Sequence, residues 1–156
     1  MLIYVTNIDV ILSVSTAKMI ILFDTNVVLD VLLARDPYVR EARALFEHLE
    51  QGHLIGFITS TTITTVYYVG RKSVGEQTIR RRIQDLLDLF STIPVPEPVL
   101  QSALDLAFTD FEDAVLHEAA RQADAEGIVT RNARDFTAAM LDIYTPTELL
   151  DTVRGA

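Results

Sequence analysis

Acidic residues in this chain gather at three places where an apolar run gives way to polar residues. Asp24 follows Ile20-Ile21-Leu22-Phe23 and is followed by Thr25 and Asn26; Asp110, Glu112 and Asp113 lie together after Thr109; Asn132 and Asp135 come just after Ile128-Val129-Thr130. Carboxylates drawn from separate segments suit a hard divalent cation, which takes oxygen ligands. Magnesium typically uses one or two carboxylates and leaves the rest of its shell to water and substrate phosphate. Such an ion lowers the pKa of bound water and neutralises charge developing on a phosphoryl oxygen. Asp110 and Asp113, three apart, share a face if they lie on one helical turn.

Each cluster also has a structural reading. Asp24, Thr25 and Asn26 are all good helix N-caps. Thr109-x-x-Glu112 is a capping box, and Asp110-x-x-Asp113 resembles one. Asp135 can cap a short helix over Phe136 to Met140, and Asn132 can be a turn residue. Taken singly, the structural reading is the commoner one. Three such points in one domain together favour a metal site. The triplet Asp24-Thr25-Asn26 alone also permits a phosphatase-type enzyme with an aspartate nucleophile.

The elements that must position these residues can be read in order. Ile20 to Phe23 is a short apolar run suited to a strand buried on both faces, and Val27 to Leu33 begins a helix. Asp36-Pro37 reads as an N-cap and first helical position, with a helix running to about Gln51 and ending at Gly52. Leu54 to Ile58 is a second strand; Thr59 to Thr62 offer caps for a helix through Val66, Tyr67 and Val69 to about Lys72. Glu76 to Phe90 is an amphipathic helix. Ile93-Pro94-Val95 is a short strand, and Val99 to about Phe108 a helix. A long helix runs from the second acidic cluster to about Glu126. Ile128 to Thr130 and Asp142 to Tyr144 are short strands, and Thr145-Pro146-Thr147-Glu148 is a capping box opening a last helix. Strands alternating with helices imply an α/β fold with a parallel sheet covered on both faces. In such sheets ligands bind at the carboxyl ends of the strands, where the acids fall.

The 156 residues suit one domain with a sizeable core, and the formal net charge is −9. That charge disfavours simple coating of nucleic acid, which calls for a basic surface, but is compatible with a cation-bridged contact. With no cysteine, thiol chemistry is excluded and a reducing, cytoplasmic setting fits. Residues 1–18 are apolar but too short to span a bilayer and lack the basic start of a signal peptide. They read as an N-terminal extension, an added strand or arm upstream of Met19, with residues 19–156 forming the domain.

I-L-F-D-T-N, D-F-E-D-A, T-R-N-A-R-D-F and Y-T-P-T-E-L-L together resemble the PIN-domain ribonucleases, especially the VapC-type toxins of toxin–antitoxin pairs, over residues 19 to about 153. The resemblance implies a PIN-like three-layer domain with a central parallel sheet of four or five strands. It implies an endoribonuclease dependent on Mg2+ or Mn2+, an RNA substrate, a small antitoxin as partner, and a homodimer. By motif position Asp24 and Asp113 match family acids, and Asn132 and Asp135 fall in the segment that supplies the last ligand. The sequence departs from the family where many members carry a glutamate on the second main helix; Thr65 stands there, and a hydroxyl cannot replace a carboxylate's charge. Asp110 is expected to supply the missing oxygen. The expected catalytic and metal-holding set is therefore Asp24, Asp110, Asp113 and Asp135, supported by Thr25, Asn26 and Asn132, with Arg131 and Arg80 as RNA contacts. His117, four residues after Asp113, either approaches the site or is structural. A catalytically impaired PIN-like binding or scaffold protein is the alternative that Thr65 motivates.

Overall fold

The central strand β1 (Met19–Phe23) is apolar on both faces and alternates between them. Ile21 and Phe23 join one core cluster and Leu22 the other, as the two-residue period of a strand requires. In the computed structural model, which describes residues 18–156, the remaining elements are α1 (Thr25–Leu32), α2 (Val39–Glu50), β2 (Leu54–Thr59), α3 (Ser60–Val74), α4 (Glu76–Leu89), β3 (Ser91–Ile93), α5 (Glu97–Leu104), α6 (Phe111–Gln122), β4 (Gly127–Val129), a 3-10 turn (Ala133–Phe136), β5 (Asp142–Tyr144) and α7 (Pro146–Arg154). The expected extension lies outside the described residues except for Lys18.

The five strands are all parallel, in the order β3-β2-β1-β4-β5. The chain builds from β1 outward through β2 and β3, then returns to the other side of β1 with β4. The strand order thus reverses between β1 and β4, which is where an open α/β sheet forms its binding crevice. One face is covered by α1, α2, α3, α4 and α7, and the other by α5 and α6. The first face centres on Phe23, Phe46 and Phe90, whose rings meet edge to face at 5.1–6.0 Å, each such pair adding about 0.5–1.5 kcal/mol beyond area burial. Among the described residues no helix is long and apolar enough to cross a membrane.

Several boundaries differ from the sequence expectations by a residue or more, β4 running over Gly127–Val129 rather than Ile128 to Thr130, and four of them have a clear local reason. α2 begins at Val39, not Pro37: the Val39 N–H bonds the Arg35 carbonyl, and residues 36–38 form a turn before the helix. β3 stops at Ile93, because Pro94 and Pro96 have no N–H to give a ladder. α5 ends at Leu104, freeing Phe108 to pack its ring against His117 and Phe136. α6 closes at Gln122 and Asp124 turns the chain with a positive φ.

Candidate functional site

Asp24 sits at the junction of β1 and α1. Its N–H bonds the Val129 carbonyl of β4 at 3.0 Å, and its own carbonyl accepts from Val27 and Val28. It occupies the N-cap position of α1, yet its side chain makes no cap hydrogen bond. Instead the carboxylate, 5% exposed, accepts a 2.8 Å bond from the Thr130 hydroxyl. Burial raises its pKa and the Glu112 carboxylate adds to the rise; the Thr130 hydroxyl, the Thr25 N–H and Arg131 oppose it.

Asp110 caps α6: its Oδ1 accepts from the Asp113 N–H at 3.2 Å. The capping reading therefore holds for Asp110, and the cap anticipated at Thr109 falls one residue later, as a single N-cap bond. Asp113, in the first turn of α6, is half-buried. Its carboxyl is pushed up to about 7 by burial, then by Asp24, Asp110, Asp135 and Glu112. Asp135 lies exposed on the 3-10 turn after β4. The Asn132 N–H just before it bonds the Thr130 hydroxyl at 3.1 Å.

The sequence-derived residues Asp24, Thr25, Asn26, Asp110, Asp113, Asn132 and Asp135 all line one cleft of about 270 Å3 at the carboxyl ends of β1 and β4, and Thr65 lines it too. A glutamate on α3 would have faced the same space. Its place carries no charge, while Glu112, absent from the expected set, does line the cleft. Glu112 Oε1 stands 3.5 Å from the Thr25 hydroxyl, which in turn meets Thr62 at 2.9 Å in a buried chain of hydroxyls reaching Thr59. Thr130 was also absent from that set. It is fully buried and orients both Asp24 and Asn132. The only signal for it was its place between Val129 and Arg131.

Three basic or titratable side chains lie elsewhere. Arg131 places its Nε 2.8 Å from the buried Asp30 carboxylate and stacks 4.0 Å over the Tyr38 ring, so its guanidinium is engaged inside the domain. Arg80 pairs with Glu76 at 3.0 Å and lies over Tyr67, outside the cleft lining. His117 is fully buried: its Nε2 accepts from the Met140 N–H and its Nδ1 donates to Glu118, a neutral tautomer that pins the loop after the 3-10 turn.

Five carboxylates converging on one cleft, one of them held protonated to about pH 7, form a donor set suited to a hard divalent cation. Among the described residues no group of three or more His, Asp or Glu side chains is placed so that it could hold a metal ion. The four expected acids thus line one cleft without being placed as a metal-holding cluster.

The sequence model of the PIN domain matches residues 20–134 of this chain. No curated protein sequence matches it. Among solved structures, a toxin–antitoxin complex from Klebsiella pneumoniae is similar at 26% identity and a TM-score of 0.60, covering 80% of this chain and 96% of that one. VapBC2 from Rickettsia felis, bound to a DNA fragment from its promoter, aligns at 16% identity with a TM-score of 0.62 over 81% of this chain and 98% of that one. VapC20 from Mycobacterium tuberculosis, a toxin that cleaves the sarcin–ricin loop, aligns at 14% identity with a TM-score of 0.57 over 69% and 86%. At such identities the last two likenesses speak to the fold alone.

Proposed function

This chain belongs to the PIN-domain family, and from that premise we propose that it is a divalent-metal-dependent endoribonuclease, the toxin of a toxin–antitoxin pair acting in the cytoplasm. The observation that carries the reading is the meeting of Asp24, Asp110, Glu112, Asp113 and Asp135 in one cleft at the sheet's reversal point. Asp24, Asp113, Asp110 and Asp135 would hold Mg2+ or Mn2+ directly or through water. A bound cation supplies Lewis-acid activation of a water and neutralises charge developing on the phosphoryl oxygens. Thr130 fixes the Asp24 carboxylate; Thr25, through Thr62, steadies the Glu112 side; Asn26 and Asn132 offer amide groups to water or to the RNA strand. Asp113, raised to about 7 among its acidic neighbours, would give up its proton on holding the cation, so metal binding would be coupled to proton release.

Glu112 takes over part of the charge that Thr65 lacks. Asp110, expected to do so alone, has one oxygen occupied by its own helix cap. The rival reading, an impaired PIN-like scaffold, is favoured by Thr65 and by the open arrangement of the acids. Incubation of a structured RNA with Mn2+, beside Asp24→Asn, separates the two. Metal-dependent cleavage by the parent and loss of at least about a hundredfold in the variant, with unchanged circular dichroism, are expected. Cleavage retained in the variant, or no metal dependence, would overturn the assignment. The partners proposed are a small antitoxin and a second copy of the chain.

A further inference from the structure

Among the described residues Arg35 is the one cation lining the acidic cleft. The backbone takes unusual steps to put it there. After α1 the Ala34 N–H bonds the Val31 carbonyl and the Arg35 N–H returns to the Asp30 carbonyl at 3.0 Å. This closing turn requires a left-handed residue, and Ala34 fills it with φ 49°. That conformation is normally left to glycine, and strain kept in this way is characteristic of functional positions. Below the turn lies Asp30, only 1% exposed, with neither carboxylate oxygen accepting a hydrogen bond. Its Oδ2 is close to Arg131, but its Oδ1 stands 4.0 Å from the Arg35 guanidinium. Arg131 therefore meets the buried charge at close range, while Arg35 is held at a distance and remains one-third exposed. Arg80 and Arg121, by contrast, are hydrogen-bonded to Glu76 and Glu118.

An RNA strand entering a cleft lined by five carboxylates meets repulsion that a metal ion relieves only locally. An arginine on the same wall offers a planar fork of donors matched to phosphate oxygens. We propose that Arg35 binds a backbone phosphate of the RNA beside the acidic cleft, and that Asp30 is the positioning residue that holds its guanidinium on the cleft wall. The proposal rests on the ribonuclease reading above and assigns the strand's electrostatic contact to a residue that none of the four sequence motifs contains.

The test is fluorescence anisotropy with a labelled single-stranded RNA, Ca2+ as the divalent ion and RNA integrity checked on a gel, over a series of KCl concentrations. One phosphate contact to a single strand contributes about 0.7 to the slope of log affinity against log salt. Arg35→Ala and Arg35→Gln should weaken binding and lower the slope by about that amount, while Arg35→Lys, which keeps the charge, should retain the slope. Asp30→Asn should weaken binding as well, and adding Arg35→Ala to it should cost less than on the parent chain, since coupled residues are non-additive. Circular dichroism keeps a folding defect apart from a binding one. If the parent binds and the Arg35 variants keep its slope while only melting earlier, Arg35 is merely a counter-ion for Asp30 and the proposal falls. If the parent binds no RNA, the ribonuclease reading falls and this proposal with it.

Discussion

Burial, followed by the charges of Asp24, Asp110, Asp135 and Glu112, keeps Asp113 protonated up to about pH 7 in the folded chain, against an ordinary value of 3.8. Between those two values the folded state binds more protons than the unfolded one, so stability falls as pH rises across that window. Asp24 and Asp30, also raised by burial, act in the same sense. Glu118 and Glu148, lowered by their hydrogen bonds, withdraw stability only as pH drops below their ordinary 4.5. The metal-free protein should accordingly melt at a higher temperature at about pH 5.5 than at about pH 8. Asp113→Asn should flatten most of that difference by raising the value at the higher pH. Mn2+ should do the same to the parent chain, because an ion that binds the folded acids stabilises by mass action. A scan in which Mn2+ leaves the melting temperature at about pH 8 unchanged would count against the acids as a metal site.

At the scale of elements, the cleft depends on how closely β4 and β5 approach. Gly127 opens β4 opposite Asp142; a Cβ built there would lie 2.8 Å from the Asp142 carbonyl oxygen and 2.9 Å from the Tyr144 ring. Backbone cannot swing aside as a flexible side chain can, so Gly127→Ala should part the two strands and cost roughly 1–3 kcal/mol. At roughly 2–4 °C per kcal/mol for a domain of this size, thermal unfolding reads the loss directly. Because Thr130 and the turn bearing Asp135 hang from the end of β4, RNA cleavage should fall along with stability. α1 is tied at both ends: Asp24 begins it, and the Arg82 guanidinium of α4 donates to the Leu32 carbonyl at its C-terminus, where a cation is favoured by the helix dipole. That tie makes Arg82 a link between α1 and α4.

For the molecule as a whole, a charge of −9 and a cleft with five carboxylates mean that affinity for RNA must come from bridging cations and a few placed guanidinium groups. Association with a second copy, part of the proposed function, is supported by Leu100 and Leu104, exposed one turn apart on α5; side chains of this size exposed together invite a partner surface. Light scattering of the purified chain should give twice the monomer mass, and Leu104→Glu should return it to the monomer without a change in helix content. A monomeric parent would remove the homodimer from the reading.

Much of this protein was decided locally. The apolar run Ile20 to Phe23 could be little other than a buried strand, Gly52 and Gly127 punctuate where periodicity changes, and the Thr145–Glu148 capping box closes as its spacing requires. Five parallel strands and the acidic ends of β1, α6 and β4 follow from such signals because hydrophobic periodicity and capping are short-range effects. The tertiary structure alone decided which acid caps and which faces the cleft. Asp24 and Asp110 occupy equivalent N-cap positions, but Thr130, 106 residues away in sequence, draws the Asp24 carboxylate from its helix, and no such partner draws Asp110. Glu112, Thr130, Asp30 and Arg35 gained their places in the same way, through neighbours brought close by strand order and by one strained turn. A hydroxyl or guanidinium has no local periodicity to announce it; its role exists only once the sheet has placed a charge beside it.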